Sequence, residues 1–455
     1  MKPVVIVGAV AAGMSAASAL KRLMPETEVM VFGREEYISY GACGMPFYVS
    51  GEIKDVNRLI VLKPEKAREE RGIDLKTAHE VLKIDRASHC VEVKNLKTGE
   101  VFTQEYERLV MATGARAMMP ALENSSLEGI FPLKELADSI KINRYIEEKK
   151  PQKAVVIGGG FIGVEVVESF RKRGMDVTLV EAASGVLSVM DTQMAQRVAE
   201  EIQRNHVELY VNEKVTGFIG KDQVSGVKLE SGKTLPADLV LMSIGVAPNT
   251  EIAAEAGLEL GARKAVKIDE YLKTSDPFIY AAGDCAVVYH QLLGDYQYVP
   301  LALGANRQGR MAGENIAAEL MGQELKKFPG ILGTAMTKVF DFEVGKTGIG
   351  AQEKERYKLE NIESVEIKYV AKAGYYPERS KIWVKLYFEA DTEILVGGQI
   401  VGQNGSVLRL DILVTAIHAR MRLSDIYNMD LGYCPPFSPV WDPILVAAKA
   451  GMKKG

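Results

Sequence analysis

Ala154-Val155-Val156-Ile157-Gly158-Gly159-Gly160-Phe161-Ile162-Gly163 is the stretch that decides the fold. An apolar, β-branched run ends in glycines spaced as GxGxxG, opens into a helical stretch through Arg173, and is followed by a second strand at Val177–Val180. In such a turn Gly158 allows the tight bend, Gly160 lets the backbone approach a pyrophosphate, and Gly163 lets helix and strand pack closely. Glu181 ends the second strand, 23 residues after Gly158, where a carboxylate accepts hydrogen bonds from an adenosine ribose and repels a 2′-phosphate. NADH is the expected dinucleotide, with NADPH the less favoured alternative.

A weaker copy of this grammar opens the chain. Pro3–Val7 reads as a strand, Gly8-Ala9-Val10-Ala11-Ala12-Gly13 as the turn, Met14–Leu23 as a helix and Val29–Phe32 as the next strand, with Val10 where the middle glycine belongs. Gly8, Ala11 and Gly13 are the candidate cofactor contacts. Support comes from the run Thr274–Asp284, a strand ending in a Gly283-Asp284 turn that suits a flavin ribityl chain and phosphate, with Asp284 accepting from ribityl hydroxyls. FAD is therefore the expected occupant of the first unit.

Farther out, Leu109–Met111 lead into Ala112-Thr113-Gly114-Ala115 and Leu239–Met242 into Ser243-Ile244-Gly245. These two crossings of similar shape take the chain out of the first domain and back, and Thr113 and Gly114 join the candidate cofactor contacts. Between Gly51 and Arg71 the chain is charged and helical, with a helix start near Pro64, and Val81–Phe102 alternates as a β-meander, the two together covering the first nucleotide site. After Gly322 come strands at Val365–Val370, Ile382–Phe388 and Glu393–Gly402 and a helix at Ser406–Met421, an α+β arrangement. The expected class is α/β: two doubly wound Rossmann-like dinucleotide-binding domains plus a C-terminal α+β domain. An FAD domain spans 1–117 and 248–326, an NAD(P)H domain 118–247 and a third domain 327–455.

The 455 residues exceed what one core organises, and 47% hydrophobic with 25% charged content suits a soluble α/β enzyme. A formal charge of -4 leaves no footprint for a nucleic-acid partner. The opening MKPVVIVGAVAAGMSAASAL imitates a secretory signal, but the apolar run is short and broken by Gly8 and Gly13, so no membrane span and a cytoplasmic location are expected. Cys43, Cys90, Cys285 and Cys434 are scattered without CxxC or metal-ligand spacing, so no metal site is expected.

Through the ATGA turn at Ala112, the second GxGxxG, the AAGD run at Ala281 and the YxPPF run at Tyr433–Phe437, the chain resembles the two-dinucleotide flavin disulfide reductases. Within them it is similar to the single-cysteine branch that contains coenzyme A-disulfide reductases. That resemblance implies a redox cysteine over the flavin, matched by Cys43 in Ser39-Tyr40-Gly41-Ala42-Cys43-Gly44-Met45-Pro46. Where the wider family has CxxxxC, Tyr48 stands five positions on, so no internal disulfide forms there. A lone thiolate beside a flavin instead attacks a small disulfide or persulfide and holds half of it as a mixed disulfide; a buried packing role is the plain alternative. Cys90 and Cys285 read as packing, and Cys434, where alanine is usual, as packing or a second thiol.

The resemblance further implies a homodimer in which a C-terminal tyrosine pair, here Tyr375 and Tyr433, reaches the neighbour's cysteine, against the alternative of plain interface aromatics. It implies coenzyme A as substrate or mixed disulfide, its phosphates on Lys21 and Arg22 unless these are a solvated helix face, with Ser39 a further substrate contact. One departure is Gly33 followed by Arg34 where relatives carry a ribose-binding acid, so that anchor is either missing or replaced, with Glu35 the candidate replacement; Arg34 is a cofactor candidate. The competing functions are NADH oxidase or peroxidase, whose members carry a histidine where this chain has Ala11, and an FAD electron-transfer component serving a protein carrier. No rhodanese-like domain is expected after the YxPPF run.

Overall fold

The computed structural model describes residues 2–377 and 380–452. Val4–Val7, four fully buried apolar residues, is the centre of a parallel sheet in the order Ile279–Ala281, Arg108–Met111, Val4–Val7, Val29–Gly33, Asp74–Thr77. Burial on both faces is what a continuous β-branched run requires. Lys153–Ile157 centres a second parallel sheet of the same pattern: Glu208–Tyr210, Asp176–Val180, Lys153–Ile157, Leu239–Met242, Ile130–Pro132. In both sheets the strand order reverses beside the central strand, which opens a crevice at the strands' carboxyl ends.

Each central strand feeds a helix, Ala11–Leu23 in the first unit and Phe161–Lys172 in the second. The first helix begins three residues before the expected Met14, because Gly13 belongs to its first turn rather than breaking it: a Cβ there would stand 1.8 Å from the Gly8 carbonyl oxygen. Gly163 stands in the same relation to Gly158, at 1.9 Å. The expected meander is present as His79–Asp85, Cys90–Asn95 and Val101–Glu105, and its first residues reach the first unit's crevice. The two crossings pair with each other, Ala115–Ala117 antiparallel to Val246–Pro248, so one two-stranded ribbon joins the units.

The C-terminal part holds an antiparallel sheet in the order Ala335–Val339, Phe342–Gly348, Leu395–Gly402, Lys381–Glu389, Ile362–Val370. The first two strands were not expected, since FEVGKTG carries two glycines and a lysine. It forms an inner strand because its Lys346 is buried against Glu353 at 2.9 Å and its backbone is laddered on both sides. The expected helix Ser406–Met421 is a 3-10 turn at Ser406–Arg409 followed by an α-helix at Leu410–His418. Among the described residues no helix is long and apolar enough to cross a membrane.

Side chains bolt this sheet to the second unit. Thr337 donates to Glu165 at 2.7 Å, Lys338 to Glu168 at 2.8 Å, and Gln399 to Asp191 at 2.7 Å, while Lys385 pairs with Asp191 at 2.5 Å. The C-terminal tail is tied down by buried Arg409, which donates to Asp442 at 2.7 Å and to the carbonyls of Ala371 and Phe437 at 3.0 and 2.9 Å. Removing one partner of a buried pair strands the other charge. Arg409→Leu should therefore destabilise the protein by about 3 kcal/mol and open the tail to protease, as urea unfolding and limited proteolysis would read.

Candidate active site

Both Gly-rich turns and the Cys43 loop line one cavity of about 1460 Å³. Gly8, Ala11, Arg34, Thr113, Gly114, Gly283 and Asp284 line it from the first unit, and Gly158, Gly160 and Glu181 from the second. Gly13 and Gly163 stand behind their turns, each in the first turn of its own helix. The Ala11–Leu23 and Phe161–Lys172 helices, and the long helix Ala302–Leu320 whose start lines the same cavity, have no side-chain cap at their N-termini. Free N–H groups at such ends suit anions. Nothing lies within 4 Å of where a Cβ on Gly160 would stand, so that turn is an open cradle. A volume of this size, two uncapped turns and flanking carboxylates fit two dinucleotides meeting end to end.

Glu181 is fixed rather than free: Oε2 accepts from the Gly159 N–H at 2.5 Å and Oε1 from the Ala183 N–H at 2.7 Å. Each oxygen keeps a further lone pair for a ribose hydroxyl. Thr113 donates to the Asn249 carbonyl at 2.6 Å, and Asn249 returns a bond to the Thr113 carbonyl at 3.0 Å, locking the ATG turn to the returning chain. Asp284 is nearly buried and pairs with Lys134 at 2.8 Å. Arg34 pairs with Glu135 at 2.6 Å, and Glu35 accepts from the Tyr40 hydroxyl at 2.9 Å.

Cys43 occupies a 3-10 turn, Ala42–Gly44, that runs into the short helix Met45–Val49. The turn is held against the second unit by Ser169, whose hydroxyl donates to the Pro46 carbonyl at 2.9 Å. The thiol is open to the cavity, yet the surrounding protein pushes its pKa up; Glu165 adds to the rise and Lys134 opposes it. Glu165 is itself pushed up by burial, with the Thr337 hydrogen bond opposing. Lys134 and Glu165 line the cavity and were not foreseen. Lys134 carries no local motif, whereas Glu165 lies two residues beyond Gly163 on the face that packs toward the third sheet.

Cys90 and Cys285 stay outside the cavity lining, Cys285 fully buried and donating to the Met111 and Ala282 carbonyls at 3.4 Å each. Tyr375 and Tyr433, 58 residues apart, come together at 2.6 Å between hydroxyls. They too lie outside the cavity, on an exposed surface with Cys434, Phe437, Val440 and Trp441. Lys21 is spent on the carbonyls of Pro25 and Thr27, whereas Arg22 is exposed and donates to the Ser18 carbonyl at 3.0 Å. Arg71, which sequence reasoning passed over, donates to the Ser18 hydroxyl at 2.8 Å and so joins Arg22 on one face. Ser39 adopts a left-handed φ of 43° and donates its N–H to the Ala9 carbonyl at 3.0 Å, tying the cysteine loop to the first turn.

Residues 2–309 match the family model described as pyridine nucleotide-disulphide oxidoreductase, and 334–443 match the dimerisation domain of the same family. The chain is 38% identical over 450 residues to an NAD(P)H coenzyme A polysulfide/persulfide reductase of Pyrococcus horikoshii, covering 98% of each chain. Among solved structures, reduced Bacillus anthracis CoADR-RHD matches with a TM-score of 0.95 at 37% identity, over 99% of this chain and 80% of that one. An NAD-dependent persulfide reductase from A. fulgidus matches at 0.93 and 34%, over 98% and 82%. With this similarity running through both nucleotide units and the C-terminal sheet, the chain belongs to the pyridine nucleotide-disulphide oxidoreductase family and is an NAD(P)H-dependent oxidoreductase.

Proposed function

We propose that this enzyme is a flavoprotein disulfide or persulfide reductase that moves electrons from NAD(P)H through FAD to Cys43, which reduces coenzyme A disulfide, coenzyme A persulfide or polysulfide. The observation that carries this reading is that, among the described residues, Cys43 is the only cysteine lining the cavity that both Gly-rich turns enter. Residues 1–117 and 248–326 hold FAD, 118–247 the nicotinamide dinucleotide, and 327–455 the contact between subunits. A reducing, cytoplasmic setting agrees with four free cysteines.

Bound FAD supplies the chemistry that turns a hydride into a pair of electrons for sulfur. The chain's own residues do the rest. The Cys43 thiolate attacks one sulfur of the disulfide; a Cys43–sulfur bond forms, the original S–S bond breaks, and one thiolate leaves. Two electrons then cleave the mixed disulfide and return Cys43 as thiolate, with a proton going to the departing half. Lys134 favours the thiolate and keeps Asp284 paired. The tyrosine pair of the neighbouring subunit supplies the proton: the Tyr375 hydrogen bond pushes the Tyr433 phenol up, so it stays a donor near neutrality. Arg22 and Arg71, converging on Ser18, offer a basic face for coenzyme A phosphates.

Anaerobic turnover of NADH with coenzyme A disulfide, coenzyme A persulfide and polysulfide is the direct test. Wild type should reduce at least one, and Cys43→Ser should keep flavin reduction while losing turnover by roughly a thousandfold; equal rates with and without the thiol would sink the cysteine relay. Glu181→Ala should raise the NADPH-to-NADH ratio of kcat/KM about tenfold, as steady-state kinetics would show. Iodoacetamide trapping of Cys43 should titrate above the ordinary cysteine range. Lys134→Met should move that midpoint higher still, because a cation favouring the thiolate is lost, and Glu165→Gln should move it lower.

A further inference from the structure

The two nucleotide units align by backbone hydrogen bonds alone. The Gly8 N–H donates to the Phe32 carbonyl at 2.8 Å, and the Gly158 N–H donates to the Val180 carbonyl at 2.8 Å. The residue after each acceptor is therefore the structural counterpart of the other: Gly33 in the first unit, Glu181 in the second. In the second unit the Glu181 carboxylate lies against Gly159, whose added Cβ would stand 3.2 Å from Oε2. In the first unit the place of Gly159 is taken by Ala9, and a Cβ on Gly33 would stand 2.8 Å from the Ala9 methyl. Ala9 and Gly33 are thus a matched pair, and the methyl of one occupies the path that a side chain at the other would take.

The position that holds a ribose acceptor in the second unit is consequently empty of any carboxylate in the first. Glu35, two residues farther along, lines the cavity. Its Oε2 accepts from the Tyr40 hydroxyl at 2.9 Å, and Oε1 has no hydrogen-bond partner among the described residues. Glu135 is already paired with Arg34. We propose that Glu35, held by Tyr40 as a positioning residue, accepts the adenosine ribose hydroxyls of FAD in the first unit, displaced two residues from the place its counterpart occupies. This rests on FAD occupying the first unit.

The surroundings make that contact depend on pH. Burial raises the Glu35 carboxyl to about 7, Glu135 and Asp138 add to the rise, and the Tyr40 hydrogen bond and Arg34 oppose it. An ionised carboxylate accepts both ribose hydroxyls and a protonated one loses acceptor capacity, so FAD is held more tightly above this value than below it.

The test is the rate of FAD release from diluted full-length holoenzyme, read as rising flavin fluorescence at pH 6 and pH 8. Wild type should release faster at pH 6. Glu35→Gln should release about tenfold faster than wild type at pH 8 and approach it at pH 6. Glu36→Gln, an exposed neighbour paired with Lys97, should match wild type at both. Rebuilding the second unit's arrangement with Ala9→Gly and Gly33→Glu should slow release again in the Glu35→Gln background. Wild-type release from Glu35→Gln at pH 8, or an acceleration found instead on substituting Glu80, a second carboxylate lining the cavity, as Glu80→Gln, overturns the assignment. Purified wild type that carries no flavin overturns the FAD reading itself.

Discussion

The architecture depends on one close approach, repeated once in each nucleotide unit. Where the central strand turns into its helix, the carbonyl of the turn's first glycine (Gly8, Gly158) lies against its last (Gly13, Gly163), with no room for a side chain between them. This brings the N-terminus of each helix over the end of its sheet with its first N–H groups uncapped. Two such ends, facing one cavity across the paired ribbon of Ala115–Ala117 and Val246–Pro248, make a site for two phosphate-bearing molecules in line.

The Cys43 loop takes its position from both units. Ser39 ties its start to the first turn, and Ser169 on the second unit's helix grips its far end through Pro46. Cys43 therefore stands in the cavity that both Gly-rich turns enter. The charges around it oppose each other: burial and Glu165 disfavour the thiolate, and Lys134, anchored on Asp284, favours it. Such a balance leaves the thiol's state sensitive to whatever charge binds beside it.

The third sheet does two things at once. Its edge strand, Ala335–Val339, bonds to Glu165 and Glu168 on the second unit's helix, so the wall near Cys43 is braced from outside the nucleotide units. Its tail, held by Arg409 and Asp442, presents Tyr433, Phe437 and Trp441 outward as an exposed aromatic surface, joined by Tyr375 from the segment between the strands Ile362–Val370 and Lys381–Glu389. This surface lies within the part of the chain that matches the family's dimerisation domain, residues 334–443.

Local chemistry alone determined the α/β class, both Gly-rich turns and the meander, because glycine spacing and β-branched runs act over a few residues and are legible in order along the chain, whereas Cys43 was singled out by the resemblance to the flavin disulfide reductases. The ladder at Phe342–Gly348 was not legible, since its buried lysine and glycines are tolerated only once neighbouring strands and Glu353 are in place. Lys134, Glu165 and Arg71 were missed for the same reason: each acquires its neighbours from residues distant in sequence. The Ala9–Gly33 exclusion, the hold of Tyr40 on Glu35 and the pairing of Tyr375 with Tyr433 were decided by the tertiary structure, because each is a distance between side chains that only the packed chain sets.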